Sequence, residues 1–450
     1  MRPSYSSDRC WSTVVRNKLK YVSTVGHSPP TDLLTALTEG IAPDGGLYLP
    51  EVFPTLESTV LNRMKGLPFA EVSRIISQHL LGDELQSKNL DELIHKALNF
   101  TIPLSEYQKD IFGLELFHGP TLSFKDVGAR FLAQLLDFLR EEDDQPLFIL
   151  VATSGDTGGA VAQGFFDKKG IQTVILFPSG RVSPLQESQF GTLGGNVHAL
   201  EVSGNFDDCQ KLVKSAFLDH ELNKRVKLGS ANSINIGRLL PQIFYYFHAY
   251  GQLLTQEEPL FSVPSGNFGN LTAGLIAKRL GLPVRGFVAA TNINDTVPEY
   301  LKTGTVRPRA SIPTISNAMD VGDPSNLSRI EYLYQSNLTK LRCDIVGSVH
   351  SDTETRACIR TVYRSTGKIL DPHSAVGYLG VEPGVSRFGH GPSMFLMTAH
   401  PIKFRESVEQ ETNCTLTIPE SVSSALLSKR QVVPIGPNLS ELREFLLNKT

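Results

Sequence analysis

Short runs that are apolar at nearly every position, each followed by a stretch with helical spacing, recur along most of this chain. Residues 112–117, 147–152, 173–177, 197–202, 259–263, 284–289 and 394–397 read as strands. Residues 124–141, 157–168, 184–192, 206–218 and 271–280 read as helices, and 57–100 reads as helical with polar breaks at Gly82-Asp83 and Ser87-Lys88. A strand that is apolar throughout is covered on both faces, whereas one exposed to water alternates. Covered strands alternating with helices predict parallel sheets in an α/β architecture. Ligands of such sheets bind outside the carboxyl ends of the strands, so the strand-to-helix turns are the places to look for chemistry. At roughly 150 residues per domain, 450 residues suggest about three domains, or two with an elaborated edge.

Charge excludes several partners. Lys and Arg number 43 against 46 Asp and Glu, for a net charge of −3. No global basic field exists to hold nucleic acid or an anionic membrane, so any anion must be gripped by a few placed groups. No apolar run approaches the roughly 18 residues of a membrane helix. The five cysteines (Cys10, Cys209, Cys343, Cys358, Cys414) form no C-x-x-C, and the His residues form no HExxH. Neither a disulfide framework nor a metal site is expected, and a reducing, cytoplasmic location fits. Residues 1–20 stand apart, with five basic residues, one acid and four serines. As a helix they would place Trp11, Val14, Val15, Leu19 and Val22 opposite Arg9, Arg16 and Lys20, the pattern of an organelle transit peptide. An extension without fixed structure is the preferred expectation, with targeting as the alternative.

Four turns carry chemistry. The first, residues 118–126, ends a strand in Gly119-Pro120 and sets Lys125 in the opening turn of a helix. The backbone dipole is positive there, so the lysine pKa should fall, and a neutral amine is the form that attacks a carbonyl. The competing possibility is a surface lysine extending off the helix start. The second turn is Thr153-Ser154-Gly155-Asp156-Thr157-Gly158-Gly159, small residues whose amides and hydroxyls can close on an anion, or equally a plain tight turn capped by Asp156. No Gly-Lys-Ser/Thr follows, so it is not a P-loop. The third is Ser265-Gly266-Asn267-Phe268-Gly269-Asn270, again between strand and helix, a cup suited to a phosphate. The fourth, residues 232–238, brings Ser233 and Arg238, whose planar fork suits a phosphate dianion, the competing possibility being a helix-capping Ser and a surface Arg. A lysine nucleophile with two anion cups suggests a phosphorylated carbonyl cofactor and a phosphorylated substrate, and pyridoxal phosphate fits the first.

From 21 to 420 the chain resembles threonine synthase, a fold-type II pyridoxal-phosphate family. The matching pieces run in family order: residues 42–48, 115–126, 153–158, 232–238, 265–270, 318–322 with 324–326, 371–377, and 398–401 with Lys403-Phe404. The resemblance implies that Lys125 forms the Schiff base and that Gly266, Asn267, Phe268, Gly269 and Asn270 hold the cofactor phosphate. It implies that Thr398 meets the pyridine nitrogen, that Asp156 faces the ring hydroxyl, and that Thr153, Thr157, Ser233 and Arg238 hold the substrate phosphate. An Asp at 156 where relatives carry Asn makes that contact a departure from the family pattern. The implied fold is two open parallel-sheet domains with the cofactor in the cleft and a mostly helical N-terminal domain. Its expected segments are 1–20, 21–105, 106–150 with 226–420 (large domain), and 151–225 (small domain). The implied reaction is γ-elimination of phosphate from O-phospho-L-homoserine, then addition of water at Cβ to give L-threonine, by a monomer or homodimer. A related phospho-lyase giving a 2-oxo acid, ammonia and phosphate would use the same groups, as an alternative.

Overall fold

The computed structural model describes residues 18–81, 84–141, 145–255 and 257–449. The expectation for residues 1–20 therefore lies, up to residue 17, outside the described residues, as does the break at Gly82-Asp83.

Two parallel sheets organise the chain. The larger has the order Ile345–Val349, Gly286–Thr291, Leu260–Pro264, Ser393–Met397, Ile111–Glu115, Leu104–Gln108. Its strands run parallel except for the last, which pairs antiparallel with Ile111–Glu115. The smaller sheet is all parallel, in the order Val432–Ile435, Val197–Val202, Ile171–Pro178, Leu147–Ala152, Lys227–Ser230. Leu147–Ala152 is buried at all its positions, as its unbroken apolar run requires of a strand covered on both faces. Helices Ser58–Arg63, Phe69–Leu81 and Ser87–Ala97 precede the first large-sheet strand, beside a short antiparallel pair, Tyr21–Ser23 with Tyr48–Pro50.

One apolar core joins these parts. Val127, Phe131 and Leu135 of helix Lys125–Leu139 belong to the same cluster as Ile149 and Val151 of the smaller sheet, Leu90 and Ile94 of the N-terminal helices, and Phe261 of the larger sheet. The approach is close where helix Asp156–Phe165 meets Lys125–Leu139: a Cβ on Gly164 would stand 3.1 Å from the Ala129 carbonyl oxygen.

The sheets do not follow the expected segments. Strand Leu147–Ala152 spans the 150/151 boundary, and Lys227–Ser230, placed by sequence with the large domain, pairs with it in the smaller sheet. Val432–Ile435, beyond the expected last segment, extends that sheet at its other edge. Both added strands are four residues long, and one carries Gly229, the other Pro434. Glycine in one and proline in the other interrupt the unbroken apolar run that marks a covered strand in sequence, and edge positions need that run least.

Candidate active site

Lys125 is the first residue of its helix, and the preceding turn is fixed by the residue after it. The buried carboxylate of Asp126 accepts from the Thr121 amide at 2.9 Å and the Thr121 hydroxyl at 2.7 Å. Gly119 is obligatory, since a Cβ there would stand 2.4 Å from Asp126 Oδ2. The turn is also sewn to the next strand of the sheet: the Phe124 amide donates to the Thr398 carbonyl at 2.9 Å, and His400 N donates to Leu122 O at 3.0 Å. Lys125 and Thr398 thus stand at the carboxyl ends of adjacent parallel strands, Ile111–Glu115 and Ser393–Met397.

The Lys125 side chain is largely buried, with Nζ 3.7 Å from Asp156 Oδ2 and 5.0 Å from the centre of the Phe124 ring. Burial lowers its pKa, the nearby Lys403 and Arg238 lower it further, and Asp156 opposes them. The alternative of an exposed surface lysine is therefore set aside. Asp156 is held by more than this amine. Its Oδ1 accepts from Lys403 Nζ at 2.7 Å and from Gln186 Nε2 at 2.8 Å. Burial alone would raise its pKa, but Lys403 and Lys125 outweigh that and hold the carboxyl well below the usual carboxylate range. Lys403 is fully buried and also donates to the Thr121 carbonyl at 2.7 Å and to Gln189 Oε1 at 3.2 Å. Sequence reasoning noted Lys403 in a matching motif but gave it no role, and Gln186 and Gln189 carried no signal. A buried lysine cannot be told from a surface one until its partners are known.

The loop at 265–270 forms the floor. Phe268 takes a left-handed conformation (φ 59°) and helix Gly269–Arg279 begins directly after it. The first-turn amides of a helix have no intrahelical acceptor. A Cβ on Gly266 would lie 2.8 Å from Ala318 O, so only glycine lets these segments close. The hydroxyls of Tyr245 and Tyr246 donate to Asn270 Oδ1 at 2.7 and 2.8 Å, which fixes the amide group. Its Nδ2 is buried and without a partner. An orphaned donor beside free helix amides calls for an anionic acceptor.

The second cup has the same character. Arg238 is buried, with Nη1 donating to the Ala231 carbonyl at 2.5 Å and Nε without a partner. Burial lowers its pKa to about 10, against the opposing charge of Asp126. It therefore remains a cation at neutral pH. Thr153 Oγ1 accepts from the Gly155 and Gly158 amides at 3.0 and 2.8 Å, so its hydroxyl shapes the turn and keeps one hydrogen to donate.

Every residue named from sequence for the site lines one cavity of about 480 Å³ between the two sheets. The structure adds Arg181, Asn205, Gln186 and His373 to its walls. The donors fit a phosphorylated aldehyde: a desolvated amine, a buried amide nitrogen and the helix start on one side, and a separate cation with hydroxyls on the other.

Comparisons with known proteins agree. The model of the threonine synthase N terminus matches residues 20–98, and that of pyridoxal-phosphate dependent enzymes matches residues 100–395. The threonine synthase of Haemophilus influenzae is 45% identical over 419 residues, covering 92% of this chain and 96% of that protein. The threonine synthase of Escherichia coli is 42% identical over 437 residues, covering 96% and 100%. Its crystal structure superposes with a TM-score of 0.88 over 96% of this chain and 100% of that chain. A pyridoxal-phosphate-bound threonine synthase from Brucella melitensis gives 0.90 at 34% identity, over 96% and 99%. With a lysine poised between two sheets and two anion cups beside it, and with relatives of this similarity along nearly the whole length, the chain belongs to the threonine synthase family of pyridoxal-phosphate enzymes.

Proposed function

We propose that the chain converts O-phospho-L-homoserine and water into L-threonine and phosphate, in the cytoplasm. The observation that carries this is the second cup. Ser233 and Arg238 line the same cavity as Lys125 but come from a chain segment other than the loop at 266–270, which gives the cavity a second set of phosphate donors. A substrate without a phosphate would leave the buried Arg238 Nε without an acceptor.

The roles divide accordingly. Gly266, Asn267, Phe268, Gly269 and Asn270 hold the cofactor phosphate, Thr398 meets the ring nitrogen, and Asp156 faces the ring hydroxyl. Pyridoxal phosphate supplies a sink for the electron pair left at the substrate Cα. The Lys125 amine takes the Cα proton, and burial, which lowers its pKa, favours the uncharged form that can do so. The same amine, relieved of that proton, takes one from Cβ as the γ-phosphate departs. The two protons go to the departing phosphate oxygen and to Cγ, which becomes the methyl carbon, and the amine takes a third from the water that adds at Cβ. Arg238, Ser233, Thr153 and Thr157 donate to the phosphate oxygens, so the leaving charge develops against donors already in place. Lys125 then returns a proton to Cα after water has added at Cβ. The substrate is small and no partner chain is required by this chemistry, which a monomer or a homodimer could carry out.

Product analysis tests the proposal. With O-phospho-L-homoserine as sole substrate, threonine and inorganic phosphate should appear in equal amounts. Formation of 2-oxobutanoate and ammonia in place of threonine would give the chain to the phospho-lyase chemistry instead.

A further inference from the structure

Arg329, in helix Leu327–Leu333, is the largest fully buried side chain of the described residues. Its guanidinium meets only neutral acceptors. Nε and Nη2 donate to the Tyr48 carbonyl at 3.1 and 2.9 Å, and Nη2 donates to the Ile234 carbonyl at 2.6 Å. Nη1 donates to Asn326 Oδ1 at 2.7 Å and to the Ser233 carbonyl at 3.4 Å. Among the described residues no carboxylate pairs with it, and burial alone accounts for a pKa lowered to about 9. Arg238, by contrast, has the charge of Asp126 nearby. An interior cation whose hydrogen bonds are satisfied but whose charge is not is costly to bury, unless an anion arrives.

Its position says which anion. Two of the carbonyls it holds, Ser233 and Ile234, belong to the motif that ends in Arg238. Its partner Asn326 sits against the other cup, where Asn326 N donates to Asn267 O at 3.3 Å and Ser325 N donates to Asn267 Oδ1 at 3.2 Å. The guanidinium is therefore directly behind the wall of the cavity, and closer in contacts to the Ser233 side. We propose that Arg329 is a positioning residue whose missing counter-charge is the phosphate of the substrate. It fixes Ser233 through the backbone and attracts the phosphate dianion through a low-dielectric wall without touching it. This rests on the placing of the substrate phosphate at Ser233 and Arg238.

The test is the affinity of the cofactor-loaded full chain for inorganic phosphate, read from the rise of Tm with phosphate concentration. Arg329→Met should weaken that affinity about tenfold, the order expected for one interior charge acting across the wall. It should raise KM for the phosphorylated substrate more than it lowers kcat. Arg329→Lys keeps the charge and loses the fork, so Tm should fall while the phosphate affinity stays within about threefold of the parent. A purely structural residue would lower Tm in both variants and leave the phosphate increment alone. Asn326→Asp supplies an internal carboxylate to the guanidinium and should also weaken phosphate binding. It carries the test if Arg329→Met does not fold. Parental phosphate affinity in Arg329→Met, or in Asn326→Asp where that variant stands in, overturns the proposal. A loss confined to pyridoxal phosphate affinity overturns it too, since the counter-charge would then be the cofactor's. Arg238→Ala separates the two levels: if it leaves phosphate affinity unchanged, the phosphate site itself is misplaced and the proposal falls with it. If it abolishes phosphate binding while Arg329→Met does not weaken it, only the role of Arg329 falls.

Discussion

Lys125 shows how much of a side chain's chemistry is made by its neighbours. A helix start, burial, and two cations within reach all favour the neutral amine, and Asp156 alone opposes them. Lys403 matters here because it occupies Asp156 Oδ1 and so holds the carboxylate charge partly away from Lys125. In apoenzyme, the pH dependence of Lys125 acylation should have its midpoint below that of surface lysines. Lys403→Met should move the midpoint upward, because a lowering charge is removed and Asp156 turns to Lys125. A midpoint that stays put or falls would contradict the arrangement. The sign for stability follows: the unfolded chain holds this proton to higher pH than the folded one, so Lys125 makes stability rise with pH between its lowered pKa and the ordinary lysine value. Lys125→Ala should abolish both the visible absorbance of bound cofactor and the activity, with the circular dichroism of the parent. Full activity in that variant would remove Lys125 from its role. Arg238→Ala should lower kcat/KM for O-phospho-L-homoserine by about one to several powers of ten, since each charge-assisted hydrogen bond contributes roughly 1.5–3 kcal/mol. Arg238→Lys should recover part of this, and cofactor absorbance should be normal in both; a change within about twofold in Arg238→Ala would refute the phosphate role.

At the scale of the element, the site is built from turns whose shape is dictated behind them. The loop at 265–270 can serve as a phosphate cup because Gly266 passes within 2.8 Å (measured from an added Cβ) of the Ala318 backbone. Backbone cannot yield as a side chain can. Gly266→Ala should therefore weaken pyridoxal phosphate binding by about tenfold or more, about 1.4 kcal/mol per decade, while leaving the far-ultraviolet spectrum unchanged. Cofactor titration followed by absorbance checks it, and parental affinity would mean the loop tolerates displacement. The turn before Lys125 follows the same logic: Asp126 binds Thr121 and leaves no room for a Cβ at residue 119. Both loops were legible as sequence because glycine and small polar residues cluster where a strand ends and a helix begins. What each loop leans on was not legible, since Ala318 and Thr398 are remote in the chain.

At the scale of the molecule, the C-terminal segment completes a sheet far from its own neighbours in sequence. Strand Val432–Ile435 pairs with Val197–Val202, and helix Leu439–Leu447 buries Leu442 and Leu446 in the cluster that contains Leu212 and Val213. Leu442→Ala should cost about 2–5 kcal/mol of stability, the range for a buried leucine, with kcat/KM of the folded fraction unchanged. Thermal melts and active-site titration check this together, and a loss of specific activity at parental Tm would show that the segment reaches the site.

The α/β class followed from sequence alone, because strand burial on both faces demands uninterrupted apolar runs, as at Leu147–Ala152. So did the candidate turns, whose residue types answer to local backbone needs, and the family, whose motifs keep their order. Tertiary structure decided the rest. It put Lys227–Ser230 and Val432–Ile435 on the smaller sheet, because edge strands pair through backbone and need no apolar signature. It also decided which lysines and arginines are buried: Lys403 and Arg329 look like surface cations in sequence, and only the partners brought to them across the fold show that they are interior charges. A charge acquires its meaning from the dielectric and the counter-charges around it, and those are set by residues hundreds of positions away.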